Sequence, residues 1–176
     1  RHAPSNPERI AALHRLAHNL IPTPTQTQLA ELTPLLDRAL TTQAWANHFG
    51  GRSNEGLEFV GDTIYLVAAL EAAIELHPRE QRAHILERIT RVLVNGTVQR
   101  KLAQELGLDN LLRIPNDYTV RERAYKTEDR GTLDGNAFEA ILGAIGEVSA
   151  KLAIQVAKRL LRPTLTEVTE HIYNHR

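Results

Sequence analysis

The chain has 176 residues, enough for one domain with a full core. Its 21 basic and 21 acidic residues cancel, so it lacks the strongly basic balance of a typical nucleic-acid binder, although a local basic patch remains compatible with that total. It has no cysteine, which excludes disulfides, thiolate zinc sites and thiol nucleophiles. No uninterrupted apolar run approaches the roughly 20 residues that span a bilayer, so a soluble protein is expected, with no membrane partner. The numbering opens on Arg1 rather than Met, and the compartment, cytoplasmic or mitochondrial, is left open.

In chain order, PERIAALHRLAHNL (7–20) reads as a short amphipathic helix with Pro7 in its first turn, and PTPTQTQ (22–28) as a break. Leu32, Leu35, Leu36 and Leu40 predict a second helix over 29–47, and HFGGRSN a turn. A third helix is expected over 54–76, ended by Pro78. Helical periodicity over 79–106 breaks near Asn95-Gly96. LGLDNLLRIPNDYT and KTEDRGTLDG read as connections. A long helix is expected from about Asn136 to Leu161, stopped by Pro163, with a short helix after it. No strand-like alternation persists, so the fold class is all-α.

Two stretches bear on chemistry. In NEGLEFVGDTIYL (54–66), Glu55, Glu58 and Asp62 share one helical face, while Leu57, Phe59, Val60, Ile64, Leu66 and Val67 spread round the others. A helix apolar nearly all round is a buried helix, and a row of repelling carboxylates there calls for a bound cation. In LDGNAFEAILGAIGEVSAKLA (133–153), Asn136 and Glu139 share a face that continues through Ala140, Gly143, Ala144 and Glu147. Gly61 and these small residues allow the two helices to cross closely and gather Glu58, Asp62, Asn136 and Glu139. Three carboxylates and an amide oxygen suit Mg²⁺ or Mn²⁺, which can activate water for phosphodiester hydrolysis. Plainer readings fit the same residues: a solvated stripe for Glu55, Glu58 and Asp62, and a helix N-terminus capped by Asp134 or Asn136, with Glu139 favoured by the helix dipole.

NEGLEFVGD resembles the signature motif of the ribonuclease III family, commonly NERLEFLGD, and GNAFEAILGAI is similar to that family's second acidic motif, ADxxEALIGA. ALTTQAWANHFGGRSNEGLEF and LVNGTVQRKLAQELGLDNLLRI extend the resemblance, which covers roughly residues 35–163 in family order. It implies the helical endonuclease-domain fold in residues 25–176, behind an N-terminal helix and linker at 1–24. It further implies a divalent-metal-dependent endoribonuclease that hydrolyses double-stranded RNA as a homodimer. By that resemblance Glu58, Asp62, Asn136 and Glu139 bind metal, Asp62 and Glu139 being catalytic. Glu55 borders the site, touching substrate or supporting the ligands, and Phe59 enters a pocket of the dimer partner.

The departure is Asn136, where the family usually has aspartate; the lost charge weakens metal binding, and Asp134, two residues earlier, faces another side. The double-stranded-RNA-binding domain of many members also finds no counterpart. The alternative is a non-catalytic relative: a structural protein of the mitochondrial large ribosomal subunit, bound to ribosomal RNA and paired with a second chain of the same fold. In either case Arg88, Arg91, Arg100, Lys101, Arg121, Arg123, Lys126 and Arg130 are candidates for phosphate contact, or else an ordinary solvated surface. His14 and His18 lack a third ligand nearby and read as surface residues. Tyr65, Tyr118 and Tyr125 show no base-stacking pattern.

Overall fold

The computed structural model describes residues 6–80, 82–115 and 130–174, and the described residues form helices, turns and one isolated β-bridge. Pro7–Leu20 (α1) begins at Asn6, whose side chain accepts from the Arg9 amide, with proline in the first turn where no partner for its missing N–H is needed. Gln26–Ala39 (α2) opens on a reciprocal cap between Thr25 and Gln28. Gln43–Phe49 (α3) follows, then Glu55–Leu76 (α4), Ala83–Leu93 (α5) and Gly96–Glu105 (α6). A 3₁₀ turn at Leu108–Asn110 precedes Arg130–Val148 (α7) and Ala150–Asn174 (α8). Among these residues no helix is long and apolar enough to cross a membrane.

Three boundaries differ from the sequence expectation. The helix predicted over 29–47 is two helices, because Thr42 caps α3 by accepting from the Trp45 amide. The intervening backbone also pairs elsewhere: Arg113 donates to the Leu40 carbonyl at 2.8 Å, and Asn54 to the Thr41 carbonyl at 2.9 Å. The helix expected from 136 begins at Arg130, so neither Asp134 nor Asn136 is its cap; residues 116–129, with Tyr118 and Tyr125, lie outside the described residues. That helix ends at Ser149, whose hydroxyl accepts from the Leu152 amide and starts α8. Pro163 sits inside α8 rather than stopping it: the residues on either side, Leu161 and Leu165, are both buried, and their packing outweighs the lost backbone bond.

The most extensive contact in the fold is between α4 and α7, and α2, α6 and α8 pack around that pair. Gly61 and Gly143 are what permit it. A Cβ on Gly61 would stand 1.7 Å from the Glu139 carbonyl oxygen, and one on Gly143 would stand 1.9 Å from the Leu57 carbonyl oxygen. Each helix therefore meets the other backbone to backbone, twice. Tyr65 locks the crossing from the side; its ring meets Phe138 edge-on at 5.4 Å and its hydroxyl donates to the Leu93 carbonyl at 2.6 Å. Burial pushes its phenol well above the usual range, so Tyr65 is a core residue.

Helix α1 joins the same core through Leu13, Leu16 and Leu20. Asp37 on α2 ties it down, accepting from Arg9 at 2.9 Å and from Arg113 at 3.0 Å. All three side chains are mostly buried, so losing the shared carboxylate removes the countercharge facing two cations. Asp37→Ala should lower stability by about 2 kcal/mol in thermal denaturation; an unchanged midpoint would mean the three ions contribute little.

Candidate active site

The signature helix α4 carries the motif acids Glu55, Glu58 and Asp62 at its N-terminal end. Asn54 precedes it, buried, with its carbonyl accepting from the Leu57 and Glu58 amides at 2.9 Å. Glu55 and Glu58 lie in the first turn, where the positive end of the helix dipole favours them. The turn into α4 passes through Gly50 and Gly51, whose φ of 82° and 109° belong to conformations that glycine adopts without strain.

The crossing brings the sequence-predicted residues together. A cleft of about 500 Å³ is lined by Glu55, Glu58, Phe59 and Asp62 from α4 and by Asn136 and Glu139 from α7. Thr42, Gln43, Asn54 and Leu133 complete it, residues that the sequence reading did not assign to a site. Asp134 is buried but is not among the residues lining the cleft, in keeping with a side chain on another face.

Burial bears on Glu139, which lies on α7 facing the acidic row of α4. Glu55 and Asp62 are exposed, Glu58 is half-buried, and Glu139 is the carboxylate that burial disturbs. Its pKa is pushed up to about 7, first by burial, then by the negative charge of Asp62 and of Glu58. Asp62 also shares a hydrogen bond with the Glu139 carboxyl, and the Gln99 side-chain amide on α6 donates to it. Gln99 carries no sequence signal of its role, because it lies outside both acidic motifs.

Helix α4 is likewise not apolar-buried all round. Phe59 is 79% exposed, and Leu66, Leu70 and Ile74 continue its stripe along one open flank. Beside them a groove of about 510 Å³ runs between α4 and α5, lined by Leu66, Leu70, Ala83, Leu86, Thr90 and Val94 among others.

Among the described residues no three His, Cys, Asp or Glu side chains form a preformed metal cage. The donor set nevertheless fits a hard cation. Its ligands are all oxygen, its carboxylates repel one another, and Mg²⁺ keeps several waters and needs only one or two carboxylates. His14 and His18 take part in no such cluster. Of the basic residues, Arg91 pairs with Glu87 at 2.5 Å and Lys101 approaches Glu167 at 3.9 Å. Arg121, Arg123 and Lys126 lie outside the described residues, as does the side chain of Arg130.

Comparison with known proteins agrees with this architecture. The family model described as Ribonuclease-III-like matches residues 33–166. Ribonuclease 3 of Gloeobacter violaceus is 28% identical over 168 residues, covering 94% of this chain and 62% of that protein. A ribonuclease 3 of a Nostoc species is 31% identical over 140 residues, covering 78% of this chain and 59% of that protein. The chain thus spans less than two thirds of the length of these relatives. A solved nuclease domain of ribonuclease III from Campylobacter jejuni, with structural flexibility in a region involved in dimer formation, superposes with a TM-score of 0.68. The match covers 86% of this chain and 96% of that one at 23% identity, a likeness of fold. Motifs, helical order and family model together establish that the chain belongs to the ribonuclease-III-like family.

Proposed function

We propose that the domain is a divalent-metal-dependent endoribonuclease that hydrolyses phosphodiester bonds of double-stranded RNA. The observation that carries this reading is the single cleft where Glu58, Asp62, Asn136 and Glu139 meet across the α4–α7 crossing. Those four residues would hold Mg²⁺ or Mn²⁺, and a bound ion supplies Lewis-acid activation of water and of the phosphoryl oxygen. The chain's own part is positioning. The Gly61–Glu139 contact fixes the backbone that carries Glu58 and Asp62 against the backbone that carries Asn136 and Glu139. Burial and the charges of Asp62 and Glu58 push the Glu139 carboxyl up to about 7, and a bound cation would favour its ionised form. Asp62, exposed, hydrogen-bonded to it and lining the cleft, is the other carboxylate this reading makes catalytic. Glu55 stands at the rim, positioned to meet substrate or support the ligands.

The test is cleavage of long double-stranded RNA across a Mg²⁺ and Mn²⁺ titration, with a chelator control. Asn136 leaves the ligand set one charge short of four carboxylates. Asn136→Asp should therefore shift the half-saturating metal concentration down, by about tenfold. A wild type that never cuts while Asn136→Asp does would make the chain a retired nuclease and favour a structural role beside ribosomal RNA. Silence from both would remove the enzymatic reading.

We infer further that the working form is a homodimer. An open apolar stripe from Phe59 to Ile74 runs beside an apolar groove, and an exposed patch of this kind marks an interaction surface. Phe59→Ala should weaken self-association by at least about tenfold in sedimentation, the truncation of an aromatic anchor costing on the order of 2 kcal/mol. A wild type monomeric at micromolar concentration would overturn the inference.

A further inference from the structure

The mechanism above accounts for the carboxylates but not for the third helix that reaches them. Gln99 projects from α6, and its side-chain nitrogen donates to Glu139 Oε1. Only the NH₂ end of a glutamine amide can donate, so facing a carboxylate fixes which way the amide points. Its aliphatic part lies along the α7 backbone at Gly135, one turn before Glu139. A Cβ on Gly135 would come within 3.4 Å of Gln99 Oε1 and 3.7 Å of Gln99 Cβ. Glu139 is therefore constrained twice, its backbone carbonyl by Gly61 and its carboxylate by Gln99. The same carboxyl also shares a hydrogen bond with Asp62 and lines the cleft with Glu58, Asp62 and Asn136.

Resting on the metal-dependent reading of that cleft, we propose that Gln99 is a positioning residue, holding the Glu139 carboxylate in the orientation that binds the cation. Carboxylates that bind metals are themselves oriented by hydrogen bonds, and removing such a bond commonly costs ten- to a hundredfold in metal affinity or activity. A chain that carries Asn136 in place of a fourth carboxylate depends correspondingly more on the orientation of those it keeps.

The experiment uses the full chain and Mn²⁺ itself, measured by calorimetry and by the electron paramagnetic resonance of the free ion. Gln99→Met keeps length and helix propensity while removing the donor. Gln99→Asn keeps the amide but withdraws it by one methylene, which holds the face polar should methionine disturb folding. Both should weaken Mn²⁺ binding by about tenfold with little change in melting temperature. Cleavage should recover most of the wild-type rate at saturating metal, because the loss lies in affinity. In a Glu139→Ala background, where Gln99 has nothing to hold, Gln99→Met should have no further effect on Mn²⁺ affinity.

Binding within twofold of wild type in both single variants would overturn the proposal while leaving the nuclease reading intact. An equal loss in the Glu139→Ala background would also overturn it, since Gln99 would then act by another route. A wild type that neither binds Mn²⁺ nor cuts RNA would remove the nuclease reading and this proposal with it.

Discussion

Gly61→Ala should destabilise the domain by about 3 kcal/mol or more in chemical denaturation, although alanine is the better helix former by about 1 kcal/mol. The added methyl would stand 1.7 Å from the Glu139 carbonyl oxygen, 2.5 Å from its carbon and 2.9 Å from the Gly143 nitrogen. All three are backbone atoms, so no side chain can swing away and two helices must separate. Separation would also pull Glu58 and Asp62 from Glu139, so cleavage should fall with stability. Gly135→Ala is the control on the same helix pairing region. Its methyl meets Gln99 at ordinary contact distance, and stability should be unchanged or rise by up to about 1 kcal/mol. Equal midpoints for Gly61→Ala and wild type would refute the backbone-to-backbone crossing.

Glu139→Gln should reduce cleavage by at least about a hundredfold, since it removes a second negative charge from a ligand set that Asn136 already leaves one short. Its effect on the metal-free protein should have the opposite sign. The folded state raises this carboxyl from 4.5 to about 7 through burial, Asp62 and Glu58. The folded form therefore binds the proton more tightly than the unfolded form. This group's influence then favours folding at low pH and is lost as pH rises from about 4.5 to about 7. Wild type should accordingly lose stability relative to Glu139→Gln across that window. Allowing for solvent screening of a partly exposed group, the gap is on the order of 1 kcal/mol. Parallel stability curves between pH 4.5 and 7 would show that Glu139 is not strained by its neighbours. Added Mn²⁺ should close the gap by stabilising the ionised form.

The legible part of this molecule is the part written at helical spacing. Glu55, Glu58 and Asp62 on one side, Asn136 and Glu139 on the other, and Gly61 and Gly143 at their crossing could each be placed from period alone. What spacing could not convey was burial. The row of acids reads as uniformly buried, yet Glu55 and Asp62 are exposed and Glu58 is half-buried, while Glu139 on the facing helix lies deep enough for burial to push its pKa up. Leucine spacing runs from 29 to 40, and the expected helix extends to 47 across Thr41 and Thr42. The break there is made by Thr42 and by the distant Arg113, a partner 71 residues away that no local pattern announces. Pro163 misled in the other direction, since a proline's local cost is fixed but the packing of Leu161 and Leu165 that overrides it is not local. Gln99 was invisible for the same reason as Arg113, its role existing only in the contact.

The double glycine contact also fixes where motion can arise. Two helices touching through main-chain atoms cannot slide or roll without breaking that contact, so the backbone at 57–61 and 139–143 should be rigid on the nanosecond scale, with order parameters near 0.85. Rearrangement around a substrate must then come from side-chain rotation at Glu58, Asp62 and Glu139, and from the rim at Thr42, Gln43 and Asn54, which rests on turns rather than on the crossing. The cleft is a stiff floor with adjustable walls, so on the proposed function the choice among RNA substrates should be traceable to the walls.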